Sequence, residues 1–175
     1  MNSTELRALQ APLKQRYQDD PGAALVTLTA TARLDESEVS CRVETGRALV
    51  EAGLHPASGG TGAQACSGDM LLQALVACAG VTLRAVATAI GVELRGGRVR
   101  AEGDLDFRGT LGVSRDALVG FRTIRLTFEL DTDADAAQLD KLLSLTERYC
   151  VVLQTLRVPP EFQVQLLSVA GDSRS

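Results

Sequence analysis

The feature that most constrains this chain is a long apolar segment rich in small residues, residues 66–93, with Cys78 near its middle. No charged side chain occurs from Met70 to Leu83, so the segment has no clear polar face. A helix without a polar face is typical of one that is covered on nearly all sides. The sequence therefore predicts a buried core helix that carries a thiol.

The apolar run is too short to predict a membrane span. A span needs about 20 consecutive apolar residues, whereas this run is bounded by Asp69 on one side and Arg84 on the other. Ser67 is placed to cap the first N–H groups of the helix, and Gly91 is placed to end it. We therefore expect a helix inside a folded domain, without a membrane partner.

The length and composition of the chain favour one domain, and its net charge argues against a polyanionic partner. A chain of 175 residues, 45% of them hydrophobic, is long enough for one core and too short for two. We expect an N-terminal helical arm (1–22), a single domain (23–170) and a frayed tail (171–175). The formal net charge of -4 argues against nucleic acid, since phosphate binding needs a concentrated positive patch. No secretion signal is recognised, so a reducing cytoplasm is the expected location.

Alternating apolar and polar residues predict strands with one face in the core and one face in water. The pattern occurs in residues 26–34, 36–47, 99–108, 124–130 and 162–169. We interpret the first two as a hairpin that turns near Asp35. A second helix, capped by Thr132, is predicted to lead to Cys150. This order of elements predicts an α+β fold with mostly antiparallel sheets.

The cysteines are the candidates for chemistry. The first candidate pair is Cys78 on the apolar helix with Cys150 at the end of the second helix, although buried cysteines are usually inert small hydrophobes. Cys66 lies about 18 Å from Cys78 along a straight helix, well beyond disulfide range. Cys66 with His55 is a weaker pairing of a thiol and a base. Because His55 is the only histidine and no C-x-x-C pair occurs, a structural zinc site would need an unusual ligand set.

Two segments carry a resemblance to a known family. Residues 69–78, DMLLQALVAC, with a TL pair shortly after them, resemble the cysteine helix of the OsmC/Ohr family. Residues 146–150, TERYC, resemble the second cysteine motif of that family. Together with the order of strands and helices, the resemblance extends over most of the chain from about residue 23.

The resemblance implies a thiol-dependent peroxidase that acts on organic hydroperoxides. It implies an intertwined homodimer, with mostly antiparallel sheets around the central cysteine helix and active sites at the subunit interface. Cys78 is then the attacking thiolate and Cys150 the resolving thiol, an external dithiol reduces their disulfide, and no metal or flavin cofactor is needed. In this family an arginine from the first strands activates the thiolate. Arg33 is the best match by position, and Arg42 is the alternative.

The chain departs from the family pattern at the start of the cysteine helix. The family glutamate that orients the arginine stands ten residues before the cysteine, where this chain has Gly68. Asp69 is the neighbouring acid, shorter and one residue later. Nine residues at about 100° each turn a straight helix so that Asp69 faces away from Cys78. A role in the first helical turn is therefore the alternative for Asp69.

The second motif carries an acid and one more departure. Glu147 matches the acid of the family motif, with surface pairing to Arg148 or a neighbour as the alternative. Val151 follows Cys150 directly, where the family often has proline. Two other functions stay open: a homodimer of the same fold that binds a small apolar ligand or senses redox state, and a scaffold with unreactive cysteines.

Overall fold

The structure, a computed structural model, describes residues 2–5, 8, 10, 11, 15, 19, 31–34, 40–44, 49–112 and 114–167, with residues 31–34, 40–44 and 49 described by their backbone only. The strands are β1 (Thr31–Leu34), β2 (Ser40–Glu44), β3 (Leu49–Gly53), β4 (Ala65–Cys66), β5 (Gly96–Leu105) and β6 (Phe121–Asp131). The helices are α1 (Ser67–Ile90), α2 (Phe107–Thr110), α3 (Ala136–Tyr149) and α4 (Val151–Arg157), with a 3-10 turn at Pro56–Ser58. The fold is thus mixed α+β, as predicted.

The described strands form two sheets. Strands β1 to β4 lie in sequence order, antiparallel except for the parallel β3–β4 pair. Strands β5 and β6 form a separate antiparallel sheet, from the Gly96–Asp131 pair to the Leu105–Phe121 pair. The antiparallel pairing of β1 with β2 confirms the predicted hairpin, whereas β3 and β4 were not predicted.

Strand β5 ends earlier than the alternation in the sequence suggests. Phe107, predicted to be part of the strand, instead begins the short helix α2. The reason is the carboxylate of Asp106, which accepts a hydrogen bond from the Arg108 N–H at 3.1 Å and caps this turn. The 99–108 prediction is therefore correct for the strand and wrong for its last residues.

Helix α1 packs along one side only. It contacts β5, α3 and α4, and its buried stripe consists of Leu75, Ala79, Leu83, Val86 and Ala87. The opposite side is exposed, with Val81 73% accessible to solvent. The prediction of a helix covered on nearly all sides is therefore wrong for the single chain. By length and hydropathy alone α1 would also suit a membrane span, although core helices share these properties.

The predicted C-terminal end of α1 is confirmed, whereas its predicted N-terminal cap is not. Gly91 terminates the helix with a positive φ of 76°, a conformation that glycine adopts without steric cost. At the start, however, Cys66 occupies the N-cap position and Ser67 is the first helical residue. The predicted Ser67 cap is therefore wrong, and no side chain caps this end of α1.

Helix α3 begins at a capping box that the sequence analysis did not identify. The Asp135 carboxylate accepts from the Gln138 N–H at 2.8 Å, and the Gln138 side chain accepts from the Asp135 N–H at 3.0 Å. The predicted Thr132 cap is therefore wrong. The Thr132 hydroxyl instead donates to the Glu93 carbonyl at 2.6 Å, which ties the end of β6 to the loop after α1.

The C-terminal strand predicted over residues 162–169 is wrong for residues 162–167, which have no regular secondary structure. Phe162, Val164 and Leu166 are 79%, 91% and 96% exposed. A strand needs a neighbour to satisfy its backbone groups, and none of the described strands pairs with this segment. Residues 168 and 169, the tail at 171–175 and residues 26–30 of the first predicted strand lie outside the described residues.

Candidate active site

Cys78 and Cys150 lie in contact where the middle of α1 meets the junction of α3 and α4. Cys150 ends α3, because its N–H donates to the Thr146 carbonyl at 3.0 Å, and it begins α4, because its carbonyl accepts from the Gln154 N–H at 2.9 Å. Cys150 is fully buried and Cys78 is half-buried. Both are free thiols that pack in one cluster, and the Cys150 thiol is one of the groups that lower the pKa of Cys78.

An apolar cluster surrounds the two cysteines. Its members come from α1, from the β5–β6 sheet and from α4, namely Leu75, Ala79, Val99, Ala101, Ile124, Leu126, Phe128, Val152 and Leu153. Such packing reduces the contact of the sulfurs with water and strengthens their interactions with nearby polar groups. The sulfur chemistry at this site is therefore decided by a few polar groups.

The environment lowers the pKa of the Cys78 thiol below its ordinary value. Burial acts in the opposite direction, but four hydrogen-bond donors together outweigh it: the Val152 amide, the Cys150 thiol, the Thr82 hydroxyl and the Val151 amide. None of these donors is a cation. The thiolate of Cys78 is thus favoured by hydrogen bonds, two of them from the first amides of α4.

The pKa of Cys150 is shifted the other way. Burial is the largest cause of this rise, and the hydrogen bond to Cys78 and the charge on Cys78 add to it, while the Leu153 and Val152 amides oppose it. Because the two thiols titrate as a coupled pair, the first proton is lost from Cys78. Cys150 keeps its proton and acts as a donor.

The structure does not bring Asp69 into hydrogen-bonding contact with either sulfur. Asp69 is exposed in the first turn of α1, which agrees with the half-turn that separates it from Cys78. A Cβ at Gly68, the family glutamate position, would lie 3.5 Å from Phe121, 3.6 Å from the Cys66 sulfur and 3.7 Å from a Leu105 methyl. These are ordinary contact distances, so the described residues leave room for a Cβ here.

Glu147 forms an ion pair away from the sulfurs. Its carboxylate accepts from the Arg157 guanidinium at 3.0 Å, and its carbonyl accepts from the Gln154 side chain at 2.7 Å. Both bonds hold α4 against α3. Glu147 therefore forms the ion pair expected under the alternative interpretation, but its partner is Arg157. Arg148 instead lies over the Tyr149 ring at 5.5 Å.

The backbone positions of the two candidate arginines are adjacent. Arg33 on β1 and Arg42 on β2 stand directly opposite each other in the antiparallel register. Their side chains lie outside the described part of the chain. The assignment of an arginine to the activation of Cys78 therefore stays a prediction.

The weaker sequence candidates have local roles. His55 accepts a hydrogen bond from the Ala57 N–H at 3.0 Å and stacks on Phe107 with ring centroids 4.9 Å apart. It thereby caps the 3-10 turn and packs the loop onto α2. Cys66 is a half-buried free thiol at the start of α1. Within the described residues, no group of three or more His, Cys, Asp or Glu side chains could hold a metal ion.

A cavity of about 830 Å³ lies beside the cysteine cluster, between β6 and the helices α3 and α4. Leu75 and Leu153 line it and also pack in the cluster, while neither cysteine lines it directly. The rest of the wall is mixed, with further apolar side chains beside the Glu147–Arg157 pair and the polar residues Arg122, Thr123, Thr127 and Thr132. The cavity and the cysteine cluster therefore share part of their walls.

Two parts of the site were missed at the sequence level. Helix α4, which supplies amides to Cys78, was not predicted, because its seven residues are too few for a clear period. Thr82 stands in the TL pair that follows the first motif, but no role was assigned to it. Its spacing of four residues from Cys78 is the signal that could have identified it.

Comparisons with known proteins agree with this architecture. A family model described as OsmC-like protein matches residues 60–165, more than half of the chain. The fold is similar to an OsmC-like protein from Mycoplasma pneumoniae, with 19% identity and a TM-score of 0.65 over 77% of this chain and 89% of that one. No curated protein sequence matches the chain significantly.

Two further structures of similar fold are named as organic hydroperoxide resistance proteins. An organic hydroperoxide resistance protein OsmC from Legionella pneumophila is 18% identical, with a TM-score of 0.60 over 77% of this chain and 92% of that one. The organic hydroperoxide resistance protein OhrB of Bacillus subtilis is 21% identical, with a TM-score of 0.52 over 78% of this chain and 94% of that one.

Proposed function

Because the chain belongs to the OsmC-like protein family, we propose that it is a thiol-dependent peroxidase for organic hydroperoxides, with Cys78 as the attacking thiolate and Cys150 as the resolving thiol. The observation that carries the proposal is the contact between the two sulfurs, with one pKa lowered and the other raised. The names of the Legionella and Bacillus proteins agree with this class of substrate.

In the first step, the Cys78 thiolate attacks the terminal oxygen of the hydroperoxide. An S–O bond forms, the O–O bond breaks, and the alkoxide takes up a proton and leaves as the alcohol. Cys78 is oxidised to a sulfenic acid as the peroxide is reduced. The amides of Val151 and Val152 hold the thiolate in place for this attack.

In the second step, the Cys150 sulfur attacks the Cys78 sulfenic sulfur. The S–S bond forms, the S–O bond breaks, and the hydroxyl group leaves as water with the Cys150 proton. An external dithiol then donates two electrons and two protons, which restores both thiols. The raised pKa of Cys150 suits this order, because it stays protonated until Cys78 has been oxidised.

The surroundings of the sulfurs favour an apolar substrate. The side chains around them are apolar, and a cavity of about 830 Å³ that is lined by both apolar and polar residues lies beside them. An alkyl or fatty-acid hydroperoxide fits such surroundings better than hydrogen peroxide, whose small polar molecule gains nothing from apolar contacts.

We further propose a cytoplasmic, intertwined homodimer in which Arg33 completes the site across the interface. Exposed apolar side chains on both sides of the buried Cys150 support the dimer, since Tyr149 is 57% and Val151 is 70% exposed. Val81, on the open side of α1, is also largely exposed. Apolar surface of this extent is typical of a face that another chain covers.

Steady-state turnover tests the proposed activity. The protein is mixed with cumene hydroperoxide and dithiothreitol, and peroxide consumption is measured for the wild type, Cys78→Ser and the matched control Cys66→Ser. The expected result is catalytic consumption by the wild type and Cys66→Ser and none above background by Cys78→Ser. Equal rates for Cys78→Ser and the wild type would refute the assignment.

Binding of a small apolar ligand without turnover is the second candidate function, and the cavity is the observation that favours it. Cumyl alcohol, which has the shape of the substrate but cannot oxidise a thiol, distinguishes the two. Under this alternative it raises the melting temperature of the reduced protein, while cumene hydroperoxide leaves both thiols reduced.

A further inference from the structure

The apolar part of α1 contains two polar side chains apart from Cys78 between Leu71 and Leu83. Gln73 is exposed, whereas Thr82 is half-buried. Thr82 follows Cys78 by four residues, so both side chains lie on the same face of the helix. A hydroxyl in such a place needs a hydrogen-bond partner.

Threonine in a helix usually finds that partner in the carbonyl four residues earlier. Two other threonines of this chain do so: Thr88 donates to the Arg84 carbonyl at 2.9 Å, and Thr146 donates to the Leu142 carbonyl at 2.7 Å. Thr82 makes no such bond in the described structure. Its hydroxyl is instead one of the groups that lower the pKa of Cys78.

We propose that Thr82 acts directly on the reacting atom, by donating a hydrogen bond from its hydroxyl to the Cys78 sulfur and stabilising the thiolate. The inference rests on the proposed function, in which Cys78 is the attacking group. A hydroxyl suits both states of the cysteine, because it accepts from the S–H of the thiol and donates to the thiolate after a simple rotation.

Among the groups around Cys78, Thr82 differs from the others in being a side-chain hydroxyl donor. The β5–β6 sheet presents apolar side chains to the cluster that contains Cys78, and the α3–α4 junction presents Cys150 and the amides of Val151 and Val152. Cys150 is the titratable side chain that contacts Cys78 in the described structure. The amides belong to the backbone, so Thr82 is the donor that a substitution can remove without touching the resolving thiol.

The pH dependence of Cys78 alkylation tests this inference. The reduced protein is treated with iodoacetamide across a pH series, and modification of the Cys78 peptide is followed by mass spectrometry. Thr82→Val, which keeps the shape and removes the hydroxyl, is expected to raise the pKa of Cys78, so that alkylation below the midpoint slows about tenfold while the plateau at high pH is retained.

Three further variants complete the test. Thr82→Ser keeps the hydroxyl and is expected to restore the wild-type profile, and Thr82→Ala is expected to reproduce the shift of Thr82→Val if the valine variant does not fold. Thr88→Val removes a hydroxyl that bonds to the backbone and is expected to leave the profile unchanged. An unchanged midpoint in a folded Thr82→Val or Thr82→Ala protein would overturn the inference.

The alkylation assay also separates this inference from the proposed function. Iodoacetamide reports the ionisation of Cys78 whether or not a peroxide is turned over. A shifted midpoint in a protein without peroxidase activity would support the role of Thr82 and refute the proposed function. An unshifted midpoint in an active peroxidase would refute the role of Thr82 and support the proposed function.

Discussion

The fully buried Cys150 packs with the half-buried Cys78 where the α3–α4 junction meets the middle of α1, and its thiol helps to lower the pKa of Cys78. The contact gives the two sulfurs different protonation states. It also places a resolving thiol within reach of any sulfenic acid that forms on Cys78.

Replacing the resolving thiol is expected to stop the cycle after its first step. In Cys150→Ser, Cys78 is oxidised by one equivalent of cumene hydroperoxide, but the sulfenic acid has no adjacent thiol and persists. Trapping with dimedone and peptide mass spectrometry should find the adduct on Cys78. Dimedone labelling of the wild type to the same extent would contradict the role of Cys150.

The rate of Cys78 oxidation should depend on pH with a midpoint below that of a free thiol. Because the folded protein lowers the pKa of Cys78, the rate constant rises with pH through that lowered value and is level before a free cysteine has ionised. Stopped-flow measurements with cumene hydroperoxide across a pH series test this. A midpoint at or above that of free cysteine would show that the hydrogen bonds do not activate the sulfur.

The lowered pKa of Cys78 and the raised pKa of Cys150 affect stability in opposite directions with pH. The lowered pKa of Cys78 contributes stability that is present above its unfolded pKa and lost as pH falls through the folded value. The raised pKa of Cys150 contributes stability that is present below its unfolded pKa and lost as pH rises through the folded value. The Cys150 contribution is therefore expected to be lost at alkaline pH in the wild type, and urea unfolding across a pH series should show no such loss from this position in Cys150→Ser.

Glu147 is expected to matter little for the chemistry, because its carboxylate pairs with Arg157 and not with a sulfur. Glu147→Gln should leave the rate of Cys78 oxidation within about twofold, and it should lower the free energy of unfolding by about 0–1 kcal/mol, as for a partly exposed ion pair. A tenfold loss of oxidation rate at unchanged stability would instead assign Glu147 to the catalytic machinery.

Gly68→Glu tests the departure from the family pattern. Since a Cβ at this position meets no atom of the described residues closer than 3.5 Å, the variant is expected to fold. If Arg33 activates Cys78, the new carboxylate should raise the oxidation rate by about twofold or more, and this gain should vanish in an Arg33→Ala background. A gain that survives in that background would remove Arg33 from the site.

The core around α3 gives a test of the fold itself. Leu142 is 1% exposed and packs against Leu83, Val86 and Ala87 of α1. Leu142→Ala should reduce the free energy of unfolding by about 2–5 kcal/mol. The neighbouring Leu143 is 43% exposed, so Leu143→Ala is the matched control with a much smaller expected loss. Equal losses in urea unfolding would contradict the described packing of α3.

Local patterns were sufficient to predict much of the fold. The alternation around Val99 and Ile124 predicted β5 and β6, and the placement of Gly91 predicted the end of α1, because each depends on a few neighbouring residues. The choice of Asp135 over Thr132 as the cap of α3 was not predictable, since both types cap helices and only the path of the chain decides between them.

Features that depend on distant contacts were not available from local patterns. The alternation in residues 162–167 is that of a strand, but the described chain offers it no neighbour. The missing charges on α1 predicted a helix covered on nearly all sides, whereas the single chain covers one side of the helix. The meeting of Cys78 with Cys150 depends on tertiary packing, so it was suggested by family resemblance and not by spacing.

The most direct test of this account is the identity of the bond that a peroxide produces. The reduced protein is mixed with one equivalent of cumene hydroperoxide, quenched within seconds by alkylation, digested and mapped by mass spectrometry. The account predicts a Cys78–Cys150 disulfide and one equivalent of cumyl alcohol, with Cys41 and Cys66 still alkylated. Alkylation of all four cysteines, or a disulfide that includes Cys41 or Cys66 in place of this pair, would contradict it.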